Sequence, residues 1–322
     1  MQNNKNLLKI LTANKDRLSL LKDYLKDEVW SKNNFNKFTP SKYLESGEKA
    51  VNIIEELILN SAFSLYDEIS DQAMQTKLLT SFFDSTNKTA IVVLDGSSIR
   101  EIPIYEKLSK DTGYEIIESK YNYAALPSET EYFIDQRLIP GKHIGPSQLP
   151  TRKELTSNNI KCYYYDSPTR TFPLSNEKNL LLWSHFPDGT YKDLSSKFSS
   201  HFEEMSNLFE TVWKNIILSI PKDYKIIITS DHGYIFFGPG LESTYPTNAN
   251  SILENNRYKI FSDSDQLPQE MEEIQIIPNR RLGILRGRIK NRIQGPSGNK
   301  AYRHGGMSLM EMLTPWLVIK KK

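Results

Sequence analysis

Two apolar, β-branched runs in this chain end in carboxylates. TAIVVL (Thr89–Leu94) leads into Asp95-Gly96, and YKIIIT (Tyr224–Thr229) leads into Ser230-Asp231-His232-Gly233. Such runs read as buried parallel strands, and open α/β sheets bind their ligands beyond the C-terminal strand ends. Asp95, Asp231 and His232 would then offer oxygen and imidazole donors to one divalent metal ion. The same residues can also be purely structural, with Asp95 capping a following helix and Asp231-His232 forming a turn.

A third segment, LPSETEYFIDQRL (Leu126–Leu138), puts Ser128, Glu129 and Thr130 at the start of a helical pattern. Backbone N–H groups there favour an anion, and a hydroxyl can attack phosphorus if a metal lowers its pKa. Ser128 followed by Glu131 also fits a capping box, which needs no chemistry. Near the C-terminus His304 precedes two glycines, a short helix from about Ser308 and a closing strand over Trp316–Ile319. Glycines let the backbone approach closely, which suits a histidine turned into a crowded polar site.

The elements that must hold these residues follow from periodicity. From Leu7 to about Phe83 apolar residues recur at helical spacing, as in Val51, Ile54, Leu57 and Ile58, which predicts two to four amphipathic helices. From Thr89 onward short strands (Tyr114–Ile117, Ile160–Tyr165 and Asn179–Trp183, besides the two above) alternate with helices, the clearest over Lys192–Ile220. The expected fold is α/β, a mainly parallel sheet with helices on both faces, preceded by a helical region over 1–86, the sheet domain occupying 87–322. Hydrophobic residues at 38% supply a core for the 322-residue chain. A net charge of +2 excludes a global polyanion bias, so any such site must be local. The single cysteine, Cys162, rules out an intrachain disulfide or a cysteine zinc cluster, leaving Asp and His as ligands. The N-terminus lacks the order of a secretory signal, and no apolar run reaches membrane-spanning length, so a cytoplasmic location without membrane contact is expected.

Six segments together resemble the PglZ domain of the alkaline phosphatase superfamily. They are VVLDGSSIRE (Val92–Glu101), LPSETEYF (Leu126–Phe133), PSQL (Pro146–Leu149), LLWSHFPDG (Leu181–Gly189), TSDHGYIFFG (Thr229–Gly238) and RHGGMSLMEMLTPW (Arg303–Trp316), in the family's order. The resemblance implies an alkaline-phosphatase-like fold and a hydrolase with two divalent metal ions, expected to be zinc. By position, Asp95, Thr130, Asp231 and His232 match the ligands of the metal that activates the nucleophile Thr130. Asp188 and His304 match two ligands of the second metal. The superfamily usually adds a histidine four residues beyond that aspartate, where this chain has Lys192, which cannot bind metal while protonated. His185 or Asp193 could take its place. Ser97 and Ser98 are rival nucleophiles, and Arg100 could contact a phosphate or sit in a buried ion pair.

Between Arg280 and Arg303 eight basic residues occur with no acidic one, among them Arg286, Arg288, Lys290 and Arg292. Interleaved with Ile284, Leu285, Ile289 and Ile293, they suggest strands with one wet basic face that tracks phosphates; an edge hairpin guarded by charge gives the same pattern. The expected activity is therefore metal-dependent phosphodiester hydrolysis on a nucleotide or nucleic-acid substrate. The resemblance sets this in a bacterial anti-phage system such as BREX. An alternative, favoured by Lys192, is a weakened PglZ scaffold that docks defence partners such as an ATPase or a DNA-modifying protein.

Overall fold

The computed structural model describes residues 7, 9–10, 12, 16–61, 64–83, 86–191, 198–237, 247–254, 256–289 and 302–322. Its centre is a six-stranded sheet in the order β2-β11-β5-β1-β4-β3. The strands are β1 (Thr89–Leu94), β2 (Tyr114–Tyr123), β3 (Ile160–Tyr165), β4 (Asn179–Ser184), β5 (Lys225–Thr229) and β11 (Leu313–Lys321). β5, β1, β4 and β3 pair in parallel, and β11 runs antiparallel to both β5 and β2. β2 therefore points the same way as the parallel strands, and only β11 opposes them.

Residues of β1 explain why the run looks uniformly apolar. Ala90, Val92 and Leu94 enter the core on one face of the sheet, and Ile91 and Val93 enter that on the other. Alternate side chains point to opposite faces, and here both faces are covered. On the first face lie α1 (Arg17–Tyr24), α2 (Pro40–Ser61), α3 (Ser64–Gln75), α4 (Ile102–Asp111) and, farther along the chain, the long helix Phe198–Val212. The N-terminal helices share this core with the sheet: Leu21, Val51, Ile54 and Ile58 are buried in it with Val92, Leu182 and Ile228. Tyr43 of α2 packs on Phe202 of the long helix at 5.9 Å between ring centres.

The long helix lies inside the predicted Lys192–Ile220 span, but Lys192 and Asp193 fall outside the described residues. β2 is longer than predicted because its charged residues line a sheet edge, where water meets them, while β11 closes its other side. Smaller pieces complete the chain: β6 (Ile235–Phe236) pairs with β10 (Tyr302–Arg303), and β9 (Leu282–Leu285) lies between β7 (Tyr258–Ile260) and β8 (Ile274–Ile277). No described helix is long and apolar enough to cross a membrane.

Candidate metal centre

The strand directions gather the site. β1, β4, β5 and β2 all end at one edge of the sheet, and β11 starts there, so the residues after the first four and before the last meet. The register is close, with Leu94 opposite Ser184 and Val93 opposite Thr229. Asp95 thus leaves the sheet beside His185 on one side and Ser230-Asp231 on the other. Gly96, at φ +75°, makes the turn, and a Cβ there would lie 3.0 Å from the Asp188 side chain. Only glycine suits both the conformation and the approach.

Asp95, Asp231 and His232 are buried and offer ligand atoms within 4.8 Å of one another. Each is held by its surroundings. Asp231 Oδ1 accepts the Gly96 N–H at 3.0 Å, and Asp231 Oδ2 accepts the Thr130 hydroxyl at 2.6 Å. His232 Nδ1 lies 2.8 Å from the Gly233 carbonyl, which can only accept, so Nδ1 carries a proton and Nε2 is the nitrogen left to ligate. That Nε2 lies 3.7 Å from Asp95 Oδ1, 3.6 Å from Asp231 Oδ2 and 3.4 Å from Thr130 Oγ1. Asp95 Oδ1 is buried and has no hydrogen-bond partner among the described residues. A buried carboxylate oxygen without a hydrogen-bond partner is costly in a protein interior, and a divalent cation held by it and by His232 Nε2 would offset that cost.

A second group adjoins the first through Asp95. His185 Nδ1 lies 3.4 Å from Asp95 Oδ2, and Asp95, His185 and Asp188 again offer ligand atoms within 4.8 Å of one another. His304 completes it, with Nε2 3.7 Å from Asp188 Oδ1 and its ring stacked on His232 at 4.2 Å between centres. Charges reflect this crowding. Burial, with Asp231 and Asp188, pushes the Asp95 carboxyl up to about 6, against the pull of His185 and His232. Burial disfavours a charged His304, yet Glu129, Asp188 and Asp95 raise it to about 10. Both shifts come from several acids packed close together, and a bound dication would reverse them.

The structure therefore brings together Asp95, Thr130, Asp231, His232, Asp188 and His304 with His185, one of the two candidates for the missing ligand, and adds Glu129. Thr130 is the first residue of a short helix, Thr130–Phe133. The rival hydroxyls are engaged elsewhere: Ser97 with Tyr105, and Ser98 with Glu101 at 2.9 Å, both fully buried. Ser128 is not the helix cap that its sequence suggests. Its hydroxyl instead contacts Gly305 and Gly306, and Glu129 occupies the cap position without a side-chain cap bond.

The basic residues require correction. Arg100 is fully buried, paired with Glu48 at 2.8 Å and set over the Tyr234 ring, the buried ion pair that was the alternative to a phosphate contact. Arg286 and Arg288, expected on a wet face, are buried as well. Arg286 bonds Asp67 at 2.8 Å and also Glu270, and Arg288 bonds Glu48 and the Phe236 carbonyl, both at 2.6 Å. Desolvated guanidinium groups need such partners, and the acids come from distant segments that local charge counting does not see. Lys290 and Arg292 lie outside the described residues.

Comparison with known proteins gives three results. A search of curated proteins finds no match. Among solved structures, murine ectonucleotide pyrophosphatase / phosphodiesterase 5 aligns at 12% identity and a TM-score of 0.44. One structure, an inactive variant in complex with AMP, covers 72% of this chain and 87% of that chain; a second structure of the same protein covers 72% and 88%. Residues 175–319 match the family model of the BREX system PglZ alkaline phosphatase-like domain. The matched span holds His185, Asp188, Asp231, His232 and His304, while Asp95 and Thr130 reach the site from earlier in the chain. The match to the PglZ family model thus falls on the C-terminal part of this chain, just under half of its length.

Proposed function

We propose that the protein is a metal-dependent phosphodiesterase with Thr130 as its nucleophile. The observation that carries the reading is the Thr130 hydroxyl, 2.6 Å from Asp231 Oδ2 beside an unsatisfied Asp95 oxygen. Asp95, Asp231, His232 and Thr130 would hold one divalent ion, expected to be zinc, and Asp95, His185, Asp188 and His304 the other. When bound, such ions lower the pKa of a hydroxyl and stabilise negative charge on phosphoryl oxygens.

The residues divide the remaining work. Thr130 Oγ1 forms the bond to phosphorus while the bond to the leaving oxygen breaks opposite it, and Asp231 Oδ2 receives the threonine proton. His232 is locked in one tautomer by the Gly233 carbonyl and keeps its Nε2 turned to the reacting hydroxyl. Water then cleaves the phosphothreonine and restores the hydroxyl. Burial of Arg286 and Arg288 takes two central members out of the supposed phosphate track, which favours a nucleotide-sized diester over a long nucleic acid. The family description associates the domain with BREX systems, so anti-phage defence, alongside other defence proteins, is the proposed setting.

Hydrolysis of bis-p-nitrophenyl phosphate with added zinc tests the reading. Thr130→Ala is expected to lose at least a hundredfold in rate while still binding zinc, since carboxylates and imidazole supply most of the affinity; Asp231→Ala is expected to lose both. Undiminished hydrolysis by the Thr130 variant would refute the assignment of the nucleophile.

A further inference from the structure

We propose that Ser128 and Glu129 are positioning residues that clamp His304 against Asp188, so that the two residues before the nucleophile build part of the second metal site. The inference rests on the metal-dependent reading above and concerns how this chain assembles that site. Ser128 is fully buried, and its hydroxyl works in both directions on one loop. It accepts the Gly305 N–H at 3.0 Å and donates to the Gly306 carbonyl at 2.7 Å, tying together segments 177 residues apart. Both contacts fall on the residues directly after His304, so they fix the backbone that carries the imidazole.

Glu129 fixes the ring. Its Oε1 lies 3.4 Å from His304 Nδ1, while Nε2 on the far side of the ring lies 3.7 Å from Asp188 Oδ1. Nδ1 is buried without a hydrogen-bond partner among the described residues, and Glu129 is the carboxylate within its reach. With a metal bound, a carboxylate facing Nδ1–H would leave Nε2 as the ligating nitrogen, aimed at the metal side, the outer-shell arrangement that orients ligating histidines. The loop is shaped for this contact. Gly305 has φ +101°, which side chains rarely adopt, and a Cβ there would lie 2.6 Å from Glu129 Oε1, so a larger residue would strain the loop and push the Glu129 carboxylate aside. Neither side chain caps the helix that Thr130 begins, which leaves both for the loop. One tripeptide thus places the nucleophile on Asp231 and the histidine on Asp188.

Calorimetric titration with zinc alone, on the full chain, tests the clamp. Unmodified protein is expected to show two binding events. Glu129→Ala and Ser128→Ala should each weaken one event by about ten- to a hundredfold and leave the other unchanged, and Glu129→Gln, which keeps an oxygen acceptor, should weaken it less. Thermal unfolding of the metal-free variants establishes that each is folded. If Ser128→Ala does not fold, Glu129→Ala at a half-buried position still decides the matter. Variants that titrate like the unmodified protein, or that weaken both events equally, would overturn the clamp and leave the functional reading standing. Absence of zinc binding in the unmodified protein would overturn that reading and the clamp with it.

Discussion

Glu48→Ala is expected to be among the most destabilising single changes in this protein, although Glu48 lies far from the metal centre in sequence. Its carboxylate is fully buried, with Oε1 2.8 Å from Arg100 and Oε2 2.6 Å from Arg288. Truncation strands two guanidinium groups in the interior. Breaking a buried ion pair from one side costs about 3–5 kcal/mol, because the surviving charge stays desolvated without compensation. Unfolding entropy of roughly 2 cal/mol/K per residue gives about 0.7 kcal/mol per kelvin over this chain, so the melting temperature should fall by about 4–7 °C. Differential scanning calorimetry of the metal-free protein measures it. Glu48→Gln, which keeps an acceptor, should fall less, and a triple change to methionine at Glu48, Arg100 and Arg288 should recover much of the loss, since the charges leave together. Melting of the Glu48→Ala protein within about 1 °C of the unmodified one would refute the account of Arg100 and Arg288 as structural ions and return them to consideration as substrate contacts.

Other predictions concern pH and metal. Burial lifts the Glu55 carboxyl to about 7, although Tyr66, Leu309 N–H and Arg288 pull it down. The folded state therefore keeps a proton that the unfolded chain releases near pH 4.5, so stability is fully present below that pH and declines as pH rises through about 7. Urea unfolding at pH 5 and pH 8 should show a decline whose Glu55 share, at about 1.4 kcal/mol per pH unit, is on the order of 3 kcal/mol, and Glu55→Gln should remove that share. An unchanged pH slope in the variant would contradict the shift. His185→Ala should reduce bound zinc from about two ions per chain to about one, measured by atomic emission on protein purified without chelator. Two ions retained in that variant would give the second site a different ligand.

The parts of the fold legible in the sequence were those fixed by local chemistry. β1 and β5 stand out because both faces of each are covered, which leaves the run apolar, and their terminal acids mark the sheet edge at which open α/β sheets generally bind ligands. The strand order was not legible, because pairing β11 between β2 and β5 joins segments that no local pattern connects. Ser128 shows the same limit at the scale of one hydroxyl. Ser-x-x-Glu is a local capping signal, whereas the bonds actually made run to Gly305 and Gly306.

The basic segment misled for a related reason, and here a usable signal was present. Arg288 meets its acid 240 residues away, on α2. Along that helix Leu44, Glu48, Val51, Glu55 and Ile58 lie at spacings of three and four, so two glutamates stand on the stripe that must face the core. A carboxylate on an apolar stripe has to find a partner when the helix docks, since unpaired burial costs far more than a helix face gains. Arg280 to Arg303, in turn, has no acid of its own to pair with. Each observation supplies what the other lacks: an acid that cannot reach water implies a buried base, and a run of bases without local acids can provide it. The strip was therefore weak ground for expecting nucleic acid, and the proposal of phosphoester chemistry rests on Thr130 and the Asp–His edge of the sheet.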